Sequence, residues 1–435
     1  MKKHIYIPLL LLAFTLSVTA QDAVSITKTE VLTKVSENNT SIKISEEEFK
    51  QAKADFRQTN AMFLPNITAS HTAIATTNPL MAFGSKLNQE ILTQNDFNPA
   101  LLNDPSQIEN YATKFKIQQP LINFDGMYQR KAAKSKMEAM SLKTERTQEY
   151  LAFEVEKAYM QLQLAYKAVD VLDKALEAAN ANKKIADNSF KQGYLQRADV
   201  LNVEVRVTEV QNQLQSAKSN VQNASNYLSF LMNDETYVVY TPTDELTVST
   251  FEMEDKSISE NRSDIKAMEL ASNAYEAMNK ADKMAFLPRL NAFGSYELYD
   301  DQIFQADANG YLFGAQLSWD IFQGSKRFGK AQKSKSEFEK SKLEYKQYVS
   351  QSNLELNKAK RALLDAENKL KLTALALEQS EESLRIRTNR FKEGLEKTSD
   401  LLMADTQFAQ KQLEYYQTIF EYNYAQAYLQ FLTKE

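Results

Sequence analysis

A chain of 435 residues with 9 glycines, 8 prolines and no cysteine, at a mean hydropathy of −0.50, is long enough for two or more domains. It is too polar for a bundle of membrane-crossing helices and too poor in turn residues for a protein of many small strands. A net charge of −5 leaves no basic surplus for nucleic acid, and the lack of cysteine excludes disulfides and attachment of a lipid through a cysteine.

Met1 to Ala20 sets Lys2 and Lys3 before an apolar run from Ile5 to Phe14, broken at Pro8, and closes on Val18-Thr19-Ala20. Charge, apolar stretch and small residues in that order predict a secretory signal peptide over residues 1–20. Without its two lysines the chain carries a charge of about −7. No later stretch approaches the roughly 18 apolar residues that a spanning helix needs.

A first structural unit is expected over residues 21–232, with strands at about 63–75 and 111–122 and a helical hairpin at about 126–232. Phe63-Leu64-Pro65 leads into the first strand. From about Thr76 to Asn110 the dipeptides Asn78-Pro79, Asn98-Pro99 and Asp104-Pro105 predict a loop, because that composition does not continue a strand. Residues 111–121 then alternate: Tyr111, Thr113, Phe115, Ile117, Gln119 and Leu121 share one face, while Ala112, Lys114, Lys116 and Gln118 share the other. Past Gly126 the period changes. Val155, Ala158, Leu162, Ala165, Val169, Leu172, Leu176 and Ala179 step by three and four, as do Val200 through Val203, Val207, Val210, Leu214, Ala217, Val221, Ala224, Leu228 and Leu231. A period of 3.5 marks a coiled-coil seam. The rod from Gly126 to Phe190, about 65 residues, is about 95 Å long at 1.5 Å per residue. It reverses at Phe190-Lys191-Gln192-Gly193, where glycine suits a left-handed helix end, and Asp199 stands at the start of the returning helix. Residues 233–255, with Tyr237-Val238-Val239-Tyr240 as a strand, are expected to link this unit to the next.

The second unit, residues 256–435, repeats the first. Phe63-Leu64-Pro65 returns as Phe286-Leu287-Pro288, an offset of 223, and Phe190 to Gly193 returns as Phe391 to Gly394, an offset of 201. Phe124-Asp125-Gly126 returns as Phe322-Gln323-Gly324. Strands are expected at about 286–299 and 311–322 and a hairpin at about 325–433, with Leu356, Ala359, Leu363, Ala366, Leu370, Leu377 and Leu384 on its seam and Asp400 opening its return. Tyr311, Phe313, Ala315, Leu317, Trp319 and Ile321 share one strand face, against Gly314, Gln316, Ser318 and Asp320 on the other. A tandem duplication of this kind packs each unit beside its twin. At the tips, Asp199 and Asp400 read equally well as ordinary helix caps.

Strands of about ten residues with one apolar and one polar face, and aromatics near their ends, have the build of tilted transmembrane strands; a half-buried hairpin of a soluble protein is the alternative. On the membrane reading Phe115, Ile117, Tyr296, Phe313, Leu317 and Trp319 face lipid, and the 76–110 loop lies on the cell surface, where long loops of such barrels sit. Four strands cannot close a barrel, and an open edge is not tolerated in lipid. Two copies supply eight strands and no channel; three supply twelve and a polar lumen.

With these features in order, the chain resembles the TolC-like outer-membrane channels of Gram-negative export systems. The resemblance rests on the duplicated strand pair and helical hairpin, the Phe-Leu-Pro steps, the Phe-Asp-Gly and Phe-Gln-Gly exits and the Phe-x-x-Gly tips, and it covers essentially the whole chain after residue 20. It implies a mainly α fold with a transmembrane β domain: a homotrimer whose 12-stranded β-barrel continues into an α-helical periplasmic barrel. It implies an outer-membrane exit duct for efflux or type I secretion, opened by a periplasmic adaptor and an inner-membrane pump. The family places a gate at the inner hairpin tip, which maps to Asp400, Glu396 and Met403, with Met403 where relatives can carry an acid and Glu396 where a base can occur. Adaptor docking maps to Gly193, Tyr194, Leu195, Arg197 and Asp199 on one tip and Gly394, Leu395, Thr398 and Ser399 on the other.

No enzyme is expected. Beyond His4 in the signal peptide there is one histidine, His71, and no cysteine or HExxH spacing to make a nucleophile or metal site, so neither cofactor nor metal is called for. The rival from another class is a secreted, membrane-anchored trimeric coiled-coil scaffold or adhesin without channel activity.

Overall fold

The computed structural model describes residues 23–236, 238–250 and 257–434. The expected signal peptide, together with Tyr237 of the expected linker strand, lies outside them. The elements run β1 (Val24–Ile26), α1 (Lys28–Asn38), α2 (Thr40–Gln58), β2 (Asn66–Thr76), α3 (Pro79–Asn88), α4 (Pro99–Asn103), β3 (Ile108–Ile122), α5 (Phe124–Lys191), α6 (Arg197–Met232), β4 (Tyr240–Pro242), α7 (Ser263–Met284), β5 (Arg289–Asp300), β6 (Ala308–Ser318), α8 (Lys326–Lys392) and α9 (Thr398–Thr433). They divide into two compact units, each assembled from separate stretches of chain.

The first unit gathers the described residues up to Thr40, those of Glu149–Asp255 and Asn357–Leu432. Its core is the pair of seams with 3.5-residue spacing. Val155, Ala158, Leu162 and Ala165 of α5 are buried, as are Val200, Val203, Val210 and Leu214 of α6. Leu172, Ala175, Val210, Leu214, Ala217 and Ala409 form one packed cluster, drawing in α9. Burying a Val or Leu side chain of this kind contributes about 1.5–3 kcal/mol. On α8 the seam has gaps at Thr373 and Ser380, both buried. Each hydroxyl donates to a carbonyl of its own helix, Thr373 to Lys369 at 2.9 Å and Ser380 to Leu377 at 2.8 Å, so no polar group is left unpaired there. The linker strand begins at Tyr240 and pairs in parallel with β1. Tyr159 of α5 donates its hydroxyl to the Ile26 carbonyl at 3.1 Å, and Asn423 of α9 donates to the Thr247 carbonyl at 2.8 Å. β1 is thereby fastened to α5, and the 240–249 segment to α9.

The second unit gathers Ser41–Gln148, Lys256–Leu356 and the end of the chain. It holds one four-stranded antiparallel sheet in the order β2-β3-β5-β6. Pro65 and Pro288 precede β2 and β5, and a residue without an N–H cannot extend a ladder. The strands therefore start at Asn66 and Arg289 rather than at the expected Phe63 and Phe286. Because Arg289 pairs with Ser318, β6 ends there, short of the expected 322. Pro120 has the same effect inside β3, where the register slips between Pro120 and Ile122. At the helix that precedes each repeat, the Phe-Leu-Pro step is covered by an arginine from the following rod. Arg130 lies 6.0 Å from the Phe63 ring centre and 4.5 Å from that of Phe56, and Arg327 lies 4.9 Å from that of Phe286. Beneath α7, Arg262 grips Asp264 through Nε and a terminal nitrogen at 2.6 and 3.0 Å, and Tyr348 donates to the same carboxylate at 2.7 Å. Burial pushes the Asp264 carboxyl up, but the Arg262 and Tyr348 hydrogen bonds and the Arg146 charge outweigh it and hold it below its ordinary value. Burial and that same carboxylate push the Tyr348 hydroxyl up to about 12.

The stretch between β2 and β3 is not the irregular loop its prolines predict. Pro79 and Pro99 each occupy the first turn of a short helix, capped by the side chain of the preceding asparagine: Asn78 accepts from the Met81 N–H at 3.2 Å and Asn98 from the Ala100 N–H at 3.0 Å. Proline at that position loses no helical hydrogen bond, so Asn-Pro ends a strand and also starts a helix.

Candidate functional site: the sheet faces and the hairpin tips

Register settles which side chains share a face of the sheet. Phe115 lies opposite Ala69 and Tyr296, Tyr296 opposite Tyr311, Gly294 opposite Ile117 and Phe313, and Leu290 opposite Leu317. These residues therefore share one face, and its large side chains Phe115, Ile117, Tyr296, Tyr311, Phe313 and Leu317 are exposed, Phe313 to 78% and Leu317 to 67%. Lys114, Lys116, Gln118, Asn291, Ser295, Glu297 and Gln316 occupy the other. Among the described residues β2 and β6 each have one neighbour in the sheet, so both outer edges lack a partner there. Trp319 is separated from the other expected lipid-facing residues: it lies past the end of β6, with its indole N–H donating to the Phe286 carbonyl at 2.9 Å. His71 accompanies the apolar face, 2.9 Å from the Thr113 hydroxyl and stacked on Phe304 with ring centres 4.7 Å apart.

The two helical tips are built alike. Gly193 and Gly394 have φ of +80° and +72°, the left-handed conformation that glycine adopts without strain. In each, the glycine N–H returns to the phenylalanine carbonyl three residues back, and the following N–H reaches five back, Tyr194 to Ser189 and Leu395 to Arg390, both at 2.9 Å. Tyr194 and Leu395 occupy matching positions and are exposed to 80% and 68%.

Their acids differ. Asp199 caps α6: its Oδ2 accepts from the Gln196 N–H at 3.1 Å. Asp400 makes no such bond among the described residues. It accepts from the Ser399 hydroxyl at 3.3 Å and lies 3.9 Å from Arg387. Glu396 is clasped from α8, by Arg387 at 2.8 Å and Arg390 at 2.7 Å. Met403 is exposed and Thr398 is buried, its hydroxyl without a hydrogen-bond partner among the described residues. Arg197 approaches Glu204 at 3.9 Å. Deeper in the same unit Arg206 of α6 and Asp405 of α9 form a buried pair, with Nε and a terminal nitrogen donating to one carboxylate oxygen at 3.2 and 3.1 Å. Burial pushes the Asp405 carboxyl up further than Arg206 brings it down.

Residues 31–234 and 256–433 match the family model described as outer membrane efflux protein. The chain belongs to that family. Among solved structures the efflux-family chain is similar to the CmeC outer membrane channel of Campylobacter jejuni, with a TM-score of 0.81 at 16% identity over 93% of this chain and 85% of that one. It is similar to the outer membrane protein VceC of Vibrio cholerae, with a TM-score of 0.77 at 15% identity over 93% and 95%. It is also similar to the open state of the MtrE outer membrane channel of Neisseria gonorrhoeae, with a TM-score of 0.76 at 16% identity over 96% and 93%. At these identities the likeness is one of fold: mainly α, with a β domain. No curated protein sequence matches the chain.

Several residues that organise this efflux protein's sites do not stand out in its sequence. Arg387 and Arg390 are three apart, one turn before the Gly394 tip, a spacing that places both on one helix face. The Arg206–Asp405 pair carries a fainter signal: Arg206 sits beside the seam residue Val207 and Asp405 beside Ala404. The Phe-x-Gly repeats prove unequal. Gly324 is left-handed with φ +61°, whereas Gly126 is helical, and a Cβ there would lie 2.6 Å from the Asn123 side chain whose oxygen caps its N–H. Asp125 between them reaches Arg289 at the start of β5.

Proposed function

We propose that this outer membrane efflux protein is a homotrimeric channel that spans the outer membrane of a Gram-negative bacterium and serves as a passive exit duct, docked in the periplasm by an adaptor and an inner-membrane pump. The observation that carries the reading is the sheet, with an exposed apolar face, a polar face and two unpaired edges. In hydrocarbon an unpaired edge costs several kcal/mol per group; joining the edges of three copies removes all of them and encloses the polar faces. Phe115, Ile117, Tyr296, Phe313 and Leu317 then meet lipid, and the α3–α4 region lies at the cell surface. The matching exposure of Tyr194 and Leu395 supports the tips, Gly193 to Asp199 and Gly394 to Ser399, as the adaptor's docking surface. Cross-linking in detergent is expected to give trimers, and planar bilayers a conductance. Monomers alone would overturn the barrel, and non-conducting trimers would favour the scaffold.

Asp400 is proposed as the pore-facing acid of the periplasmic gate, with Met403 beside it; Glu396 braces the tip through Arg387 and Arg390. Three carboxylates converging on an axis attract cations. Asp400→Asn is therefore expected to lower cation selectivity and weaken block by trivalent cations from the periplasmic side, with stability almost unchanged. Asp199→Asn is expected to change neither, since Asn caps nearly as well as Asp. Equal selectivity of wild type and Asp400→Asn in bilayer recordings would remove Asp400 from the pore.

A further inference from the structure

The polar face of the sheet has an unbalanced charge. Alternation places three bases on it, Lys114, Lys116 and Arg289, and one acid, Glu297. The acid is fully engaged: Lys114 pairs with it, the Ser295 hydroxyl donates to it at 3.0 Å and the Tyr299 hydroxyl donates as well. Arg289 is held by Asp125, with Nε donating at 3.1 Å to one oxygen and a terminal nitrogen to the other at 2.5 Å. Lys116 is left over. It is exposed, its register partners are Thr68 and Ser295, and no ion pair of its ammonium is found among the described residues. An ammonium beside the Thr68 hydroxyl and the Gln118 side chain offers donors to an anion, and the nearest carboxylate on this face, Glu297, is already held by Lys114, Ser295 and Tyr299.

We propose that this face binds polyvalent anions, with Lys116 as the recognising charge, so that the barrel wall favours anionic solutes while the acidic tip favours cations. The proposal rests on the channel reading above, in which each copy adds one Lys116 to the same level of the lumen. Charges lining a narrow, low-dielectric passage reinforce one another and concentrate counter-ions.

The test is block of the reconstituted full-length channel by inositol hexakisphosphate added to the extracellular side. Wild type is expected to be blocked. Lys116→Glu is expected to raise the blocking concentration about tenfold or more, and Lys116→Gln about threefold, by loss or reversal of charge at the site. Block by trivalent cations from the periplasmic side is expected to be unchanged in both. The Gln variant, which keeps a polar side chain of similar length, decides the matter if the Glu variant does not assemble. Conducting variants with undiminished anion block, or a conducting wild type that is not blocked, would overturn this proposal alone. Assembled wild type without conductance would overturn the channel reading and this proposal with it.

Discussion

Arg206→Met is expected to destabilise the protein by about 3–5 kcal/mol, the cost of leaving a buried carboxylate without its partner. Both side chains of the pair are almost fully buried, at 6% exposure for Arg206 and 5% for Asp405. With both side chains this buried, the variant's carboxyl loses its charged partner in a desolvated site and escapes the penalty by taking up a proton. Burial already raises the Asp405 carboxyl above its ordinary value in the folded state, so between the unfolded and the folded value the folded protein binds the proton more tightly, and this contribution to stability is full in acid and lost as pH rises through the folded value. Removing the cation raises the carboxyl further. The deficit of Arg206→Met is therefore expected to be largest at neutral pH and to shrink as pH falls through the raised Asp405 value. Replacing both members with apolar residues, Arg206→Met with Asp405→Leu, is expected to bring stability back to within about 1–2 kcal/mol of wild type. Thermal unfolding in detergent at several pH values measures both effects; a pH-independent deficit, or a double variant no better than the single, would show that the pair is not the source.

In the proposed channel Phe313→Arg carries the other large effect, about 2–4 kcal/mol per copy near the bilayer midplane, because its place on the apolar face of β6 would turn an arginine into hydrocarbon. Gln316→Arg, three residues along on the opposite face and paired with Asn291, is expected to cost little stability and to shift ion selectivity. The contrast matters more than either value. Heat-resistant trimer on gels, together with bilayer reversal potentials, measures it, and equal loss of assembly in both variants would invert the two faces.

Much of this architecture is legible in the order of residues, because the signals involved are local. A period of 3.5 sets which side chains of one helix line up, a period of 2 does the same for a strand, and glycine at a helix end needs no neighbour to adopt positive φ. The duplication makes each signal visible twice, at Gly193 and Gly394 and at Pro65 and Pro288. Asn-Pro misleads, because the same dipeptide that stops a strand also caps and starts a helix, as at Pro79 and Pro99; the residues on its C-terminal side decide between loop and helix. The charges are a different matter. Asp199 and Asp400 hold matching places in the two repeats, yet one caps its helix and the other lies near Arg387. Asp125 finds Arg289 and Arg206 finds Asp405 across separations of 164 and 199 residues. Which charges meet depends on how helices are rotated about their axes and on strand register. Periodicity along one chain therefore settled the long helices and the alternation of the strands, and packing between distant segments decided which acid is buried, which is clasped, and which lysine of the sheet's polar face has no ion pair among the described residues.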